Sequence, residues 1–281
     1  MAAFDGIRPL GEADLAGAAA LSAEAGWNQT AEDWQLLIAG GLSFGLEAPD
    51  GRLVASALAY VYEARVAWIA MVLVTKAWQR RGLASELMRR AVARCRAEGF
   101  VTGLDATPAG REVYLPLGFR DVYRFTRLEA AATRDQAPAG VRRVTAADLD
   151  AVVAYDRAVS GLDRRSLIES LIRRRPRHAW LAEQAGAVRG IALAREGRRA
   201  QQIGPLLADD DATAAALARA ARADLEGAAF VDVLDDKPCF RAAFERAGFA
   251  EQRGYIRMLL ERETPLDDHG RVYAVAGPEF G

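Results

Sequence analysis

Nine consecutive residues, Lys76 to Ala84 (KAWQRRGLA), carry the groups needed to hold a phosphate. Gly82 stands where an apolar run gives way to helical periodicity. Without a Cβ it lets backbone approach a ligand closely, and the first N–H groups of the helix that follows have no intrahelical acceptor. A diphosphate suits such a turn, because the helix dipole attracts anions and each hydrogen bond to a charged acceptor contributes about 1.5–3 kcal/mol. Arg80 and Arg81 add positive charge at the same place. A nucleotide P-loop is disfavoured, since no Gly-Lys-Ser/Thr follows, and so is a dinucleotide fold, since the three-glycine spacing is missing. Spacing alone leaves two readings of Gly82 open, phosphate binding and tight strand-to-helix packing.

The elements that must position this loop can be read from periodicity. Val66 to Val74 is a nine-residue apolar run and predicts a buried strand. From about Gly82 to Glu98, Leu83, Leu87, Ala91, Met88, Val92 and Cys95 share one helical side, with Glu86, Arg89, Arg90 and Arg94 on the other, so this helix should lie on a sheet. The pattern then repeats. Val141 to Leu149 (VRRVTAADL) follows Ile7 to Leu15 (IRPLGEADL) at an offset of 134 residues (Val141 against Ile7). The hairpin glycines Gly51 and Gly186 follow at 135, and Gly118, Phe119 and Arg127 pair with Gly248, Phe249 and Arg257 at 130. Each copy reads as strand, one or two helices, antiparallel hairpin, apolar strand, long helix, strand, short helix and closing strand. The expected class is therefore α/β with a mixed sheet, in two tandem domains at 1–132 and 141–281. Residues 133–140, from a stretch poor in large apolar side chains, serve as linker.

With these residues in place the chain resembles the GCN5-related N-acetyltransferase (GNAT) superfamily, whose acyl-CoA loop reads Gln/Arg-x-x-Gly-x-Gly/Ala. Gln79, Gly82 and Ala84 fill that pattern, and Arg111 to Phe119 (REVYLPLGF) matches the family's short helix with a Tyr followed by Leu-Gly-Phe, at Tyr114, Leu117, Gly118 and Phe119. GWNQT at Gly26 to Thr30 and the tail AVAGPEFG at Ala274 to Gly281 look like a bacterial tandem-domain branch. The resemblance implies acetyl-CoA as co-substrate and an acyl transfer to an amine. Its donor would lie along Val72, Leu73 and Val74 and on Gln79, Arg80, Arg81, Gly82, Leu83 and Ala84, with Thr107 where the family often has Asn. Lys76 likewise stands where Pro is common.

Acyl transfer from a thioester needs a polarised carbonyl, a free amine, a proton for the departing thiolate and close positioning. A backbone N–H of the central strand would polarise the carbonyl, as the resemblance implies, and Tyr114 is the candidate acid; packing under the sheet is its alternative. Many relatives carry a carboxylate on the central strand, and Val66 to Val74 has none. Asp105, Glu112, Glu63 and the more distant Asp33 remain as bases, each also readable as a solvated or capping carboxylate, and a water relay is equally allowed. For the acceptor, Trp27, Asn28, Asp33, Trp34 and Asp105 are candidates, enclosing a small amine through cation–π and carboxylate contacts. The bland alternative is an Asp N-cap with two core tryptophans. Asp163 and Arg164 in the second half share that ambiguity.

The second copy lacks the loop chemistry. Ile203 to Thr213 (IGPLLADDDAT) places three aspartates where the first copy has Gln79 to Ala84, and they would repel a diphosphate. Phe244 stands in the place of Tyr114, four residues before the Gly-Phe pair. Only the first half should therefore bind coenzyme A.

Composition limits the partners. Across 281 residues, 51% are apolar and 27% charged, enough for two cores. Lys+Arg at 37 against Asp+Glu at 38 leaves a formal charge of −1, which argues against nucleic acid or an anionic bilayer as partner. Arg173 to Arg177 (RRRPR) reads as a solvated helix end. Cys95 and Cys239 suggest no disulfide framework, and His178 and His269 are too few for a His-rich metal site, so no metal is expected. Asp5 and Arg8 interrupt any signal peptide, and a reducing cytoplasm fits. The expected protein is an N-acetyltransferase acting on a small-molecule amine, monomeric or homodimeric; the alternative is a non-catalytic acyl-CoA or metabolite sensor.

Overall fold

Apolar side chains at Val66–Val74 form strand β3 because β-branched and aromatic residues there can be buried on both faces of a sheet. In the computed structural model, which describes residues 6–63, 65–131 and 138–281, this strand is the centre of the first of two compact units. That unit comprises Met1–Asp121, Met258–Glu263 and Pro278–Gly281; the second comprises Val122–Arg257 and Thr264–Gly277. Most of the expected linker, 133–137, lies outside the described residues.

The first unit begins with helices α1 (Leu15–Glu24) and α2 (Ala31–Ala39), followed by β1 (Gly41–Glu47) and β2 (Leu53–Tyr62). Gly51, at φ +80, turns the antiparallel hairpin between β1 and β2. The strand expected near Ile7 reduces to a single bridge between Arg8 and Gly45, because Pro9 has no N–H to extend a ladder. β2 pairs antiparallel with β3, and α3 (Leu83–Glu98) carries the chain across to β4 (Val101–Ala106), parallel to β3. A parallel neighbour requires such a crossover. Strand alternation turns Ala55 and Ala57 toward α3, where they pack with Leu83 and Leu87, and turns Tyr60 toward the end of α2. There a Cβ on Gly40 would collide with the Tyr60 ring. Each of those leucines, fully buried, stabilises by about 1.5–3 kcal/mol. Helix α4 (Pro108–Tyr114) follows β4, and Gly118 in the left-handed region turns the chain into β5 (Phe119–Ala130).

The tail also belongs to the first unit. The Tyr62 hydroxyl donates to the Phe280 carbonyl at 2.6 Å, the Trp68 indole donates to the Pro278 carbonyl at 3.1 Å, and Phe280 is fully buried.

The second unit contains β6 (Val141–Arg143), α5 (Leu149–Ser160), α6 (Arg165–Arg174), β7 (Trp180–Gln184), β8 (Ala187–Arg195), β9 (Gln201–Ala208) and α7 (Asp211–Ala223). Then come β10 (Ala229–Leu234), α8 (Pro238–Arg246), β11 (Ala250–Leu260) and β12 (Val272–Ala274). Gly186, at φ +77, turns the β7–β8 hairpin as Gly51 does in the first unit. From Val122 onward β5 counts with the second unit, where it pairs antiparallel with β10, while Met258–Leu260 at the end of β11 count with the first. The repeat-matched arginines are both in the second unit. Arg127 makes two 2.7 Å bonds to the buried Asp232, and Arg257 donates to the Tyr123 hydroxyl at 2.6 Å. Arg164 is likewise buried, making two 2.8 Å bonds to Asp156, while Asp163 pairs with Arg157 at 2.9 Å.

Candidate active site

The site of the first unit starts with a ladder that stops early. β3 pairs with β4 from Val66–Val101 to Ile69–Leu104 and no further, although β3 runs on to Val74 and β4 to Ala106. β2 stays with β3 to its end, through a bulge between Ser56 and Leu58. At that bulge Met71 sits at φ +53, a left-handed conformation that costs a non-glycine residue about 1–2 kcal/mol. The buried Ser56 hydroxyl holds it by donating to the Met71 carbonyl at 2.8 Å. The edge of Val72, Leu73 and Val74 that would face β4 is thereby left unpaired with β4, a gap in the ladder at the C-terminal ends of two parallel strands. Ligands of open parallel sheets bind at such ends.

Both strands lead into the predicted residues. After β3 a short 3-10 turn, Lys76–Trp78, brings the chain to Gln79, whose amide donates to the Val74 carbonyl at 3.0 Å. Arg80 (φ +60) and Gly82 (φ +81) both adopt left-handed conformations, and Gly82 is the N-cap of α3 with no side chain capping the helix. A Cβ on Gly82 would meet nothing within 4 Å, so the glycine answers to backbone conformation and to open space above the turn rather than to packing. Leu83 anchors the first helical turn in the core, Ala84 is half-buried, and Arg80 and Arg81 are exposed. The Arg81 guanidinium lies 4.8 Å from the Trp78 ring and donates to the Ala77 carbonyl at 3.0 Å.

Sequence reasoning missed Glu24. From the end of α1 its carboxylate accepts from the Thr75 hydroxyl at 2.6 Å and from the Lys76 amide at 2.8 Å, clamping the start of the loop. The Thr75 bond, then the Lys76 bond, hold this carboxyl below its ordinary range. No local signal marks a residue whose partners lie about fifty positions away in the chain.

β4 leads to Thr107, whose hydroxyl caps α4 by accepting from the Gly110 amide at 3.1 Å. Tyr114, at the far end of that helix, is half-buried, its ring 6.1 Å from that of Phe119 and packed beside Gly110. The hydroxyl makes no hydrogen bond to any described residue, and burial pushes its pKa up to about 12. At neutral pH it is protonated. Among the candidate bases, Asp105 is half-buried on β4, Glu63 is exposed, and Glu112 is exposed and paired with Arg111 at 3.2 Å.

Near the first helices the bland reading accounts for two residues. Asp33 is fully buried as the capping-box partner of Thr30, accepting from its amide at 3.0 Å while the Asp33 amide donates to the Thr30 hydroxyl at 3.3 Å. Trp34 is fully buried and its indole donates to the Ser22 hydroxyl at 3.1 Å. Asn28 is also buried; Trp27 is half-buried.

The same place in the second unit is filled from within. β9 and β10 pair in parallel only from Gln201–Ala229 to Ile203–Val231, as β3 and β4 do, but β12 then enters the gap. It pairs antiparallel with Leu206 and Leu207 on one side and Val233 on the other. The three aspartates are occupied: Asp209 accepts from the Tyr155 hydroxyl at 2.9 Å and from Arg271 at 2.5 Å, Asp210 caps α7 by accepting from the Thr213 amide at 2.8 Å, and Asp211 accepts from the Tyr273 hydroxyl at 2.6 Å. Phe244 is fully buried among Phe240 and Phe249.

Residues 17–119 match the acetyltransferase (GNAT) family and residues 152–274 the acetyltransferase (GNAT) domain. The chain is a tandem GNAT acyltransferase. It is 26% identical over 233 residues to holothin acyltransferase of Pseudoalteromonas sp. (strain SANK 73390), covering 81% of this chain and 78% of that one. A crystal structure from Pyrococcus horikoshii shares its fold with a TM-score of 0.80 at 23% identity, over 99% of this chain and 97% of that one. A tandem GNAT protein from the clavulanic acid biosynthesis pathway does so at 0.62 and 14%, over 90% and 97%. The GNAT chain has no cluster of metal-ligating side chains and no helix long and apolar enough to cross a membrane, among its described residues.

Proposed function

We propose that the first unit binds acetyl-CoA and transfers its acetyl group to the amine of a small molecule. The diphosphate sits on the free amides at the start of α3, with Gln79 shaping the turn, Gly82, Leu83 and Ala84 presenting backbone, and Arg80 and Arg81 supplying charge. The pantetheine arm runs in the gap beyond Ile69–Leu104, along Val72, Leu73 and Val74, and reaches past Thr107 toward Tyr114. The coincidence of that gap with the open Gly82 turn, at the end of one strand, is the observation on which this reading rests.

In the transfer the amine nitrogen attacks the thioester carbonyl carbon, whose oxygen is polarised by a β3 amide. A C–N bond forms, the C–S bond breaks with its electron pair going to sulfur, and the Tyr114 hydroxyl gives its proton to the thiolate. The proton lost by the amine leaves through water, and solvent restores the phenol. Of the acceptor candidates, Trp27 and Asp105 are half-buried and are assigned to the amine's approach, while Asn28, Asp33 and Trp34 are buried. A relative named for acylating holothin supports a discrete molecule as acceptor.

Incubation with acetyl-CoA, a panel of small amines and a thiol reagent tests the proposal. Thiol release that depends on the amine is expected. Tight acetyl-CoA binding with no release for any amine would instead make the protein a sensor.

A further inference from the structure

The second unit contains a polar cavity of about 150 Å³ well apart in the chain from the Gly82 turn, where α6 ends and the chain turns through Arg175–Pro176–Arg177–His178 into β7. Its volume is several times the roughly 30 Å³ share of one water. Arg174, Arg175 and Arg177 contribute cationic edges, Glu196 just past β8 faces Arg175 at 2.5 Å and neutralises it, and Pro176, Glu226 and two buried side chains, His178 and Gln201, complete the lining.

Those two are 9% and 6% exposed and have unmet hydrogen-bonding capacity. The Gln201 amide nitrogen donates to the Glu226 carbonyl at 2.8 Å, which fixes the amide orientation, because only the NH2 end can donate to a carbonyl. Its Oε1 is left as a buried acceptor with no donor among the described residues. The His178 ring makes no hydrogen bond to any described residue, and burial holds its pKa below the ordinary histidine value, so it is a neutral donor-acceptor at pH 7. A buried polar atom left unmade costs about 1–3 kcal/mol. A run of arginines at a solvated helix end accounts for Arg173 to Arg177 but not for a buried amide oxygen and a buried imidazole beside it.

We infer that this cavity is a binding site for a compact oxyanion that also carries a hydroxyl, such as a small hydroxycarboxylate or hydrogen phosphate. The anion faces the Arg177 edge, and the hydroxyl supplies the donor that Gln201 Oε1 lacks. Sulfate offers charge and size but no proton to donate at neutral pH, and is therefore the control.

With only two histidines, His178 and His269, the chain reports on this site directly through imidazole proton NMR. Lactate and hydrogen phosphate are titrated separately into the full-length protein, with sulfate at matched ionic strength. The expected result is saturable movement of the His178 signal with a stationary His269 signal for lactate, phosphate or both, the two titrations separating the sources, and much weaker movement with sulfate. Arg177→Ala, at an exposed position outside the acyl-transfer machinery, should weaken that response by up to about fivefold, as loss of one exposed charge contact does. The amine-dependent thiol release of Arg177→Ala should be unchanged, which keeps this inference separable from the proposed acyl transfer. No movement of His178, equal movement of both histidines, an equal response to sulfate, or an unaltered response in Arg177→Ala would overturn it.

Discussion

The Ser56 hydroxyl donates to the Met71 carbonyl across 2.8 Å, joining β2 to the one residue of β3 whose backbone turns left-handed. This bond fixes the bulge at which β3 parts from β4, so a deletion at Ser56 should affect stability and catalysis together. Ser56→Ala leaves a buried carbonyl without its donor and is expected to cost about 1–3 kcal/mol, read as a lower urea midpoint with unchanged slope. kcat should fall more than acetyl-CoA affinity, because the proposed diphosphate contacts lie beyond the bulge.

Glu24 clamps the other end of the same stretch through Thr75 and Lys76. Glu24→Ala should raise the KM for acetyl-CoA by about fivefold, the equivalent of ~1 kcal/mol, with kcat nearly unchanged. Because the folded carboxyl is held below its ordinary value of 4.5, the clamp is complete above that pH and is lost as the pH falls through the depressed value. The KM difference between wild type and variant should therefore narrow in acid.

Tyr114→Phe should lower kcat by about 10²–10⁴-fold, the usual contribution of a positioned acid, while leaving acetyl-CoA affinity and the thermal midpoint nearly unchanged. Burial raises this phenol from 10.0 to about 12, so the protonated form persists through neutral and mildly basic pH. Its contribution to stability is present below about pH 10 and is lost as the pH rises toward 12. The rate should rise with pH as the amine deprotonates and show no falling limb from Tyr114 below about pH 10. A variant that turns over at the wild-type rate would remove Tyr114 from the chemistry.

Asp210 caps α7 where Gly82 opens α3. Asp210→Ala should destabilise the fold by about 1 kcal/mol, measured by denaturant titration, with no effect on acetyl-CoA binding or turnover. Its carboxylate is held below the ordinary 3.8 by the Thr213 amide, so the destabilisation should be full at neutral pH and shrink as the pH falls below that value.

Much of this architecture could be read from residue patterns. The run Val66–Val74 is a strand over its predicted length, the amphipathic helix begins one residue after Gly82, and Gly51 and Gly186 turn their hairpins, since each rests on local periodicity or local backbone freedom. What escaped depends on partners distant in sequence. Nothing in VAWIAMVLV marks Met71 as the bulged residue, because its conformation is set by Ser56 on the neighbouring strand. Glu24 reads as an ordinary helix-end carboxylate. The closing strands β5 and β11 follow their own copies in sequence, yet the pairing of β5 with β10 is a matter of backbone edges that side-chain patterns do not encode. β12 is only three residues long, too short for any periodic signal, and it is the element that fills the second gap. Both readings of Asp33 and Trp34 were compatible with their spacing, and burial decides their local roles as helix cap and core tryptophan.

Calorimetric titration of acetyl-CoA into the wild-type protein and into Gly82→Glu tests most directly whether the amides at the start of α3 hold the diphosphate. No atom lies within 4 Å of a Cβ at position 82, so the substitution costs only the left-handed backbone, about 1–2 kcal/mol, and Gly82→Ala carries that same cost without the added carboxylate. The account predicts one site per chain in the wild type, a weakened site in Gly82→Ala and no detectable binding in a folded Gly82→Glu. Two sites per chain, or an affinity that Gly82→Glu leaves intact, would contradict it.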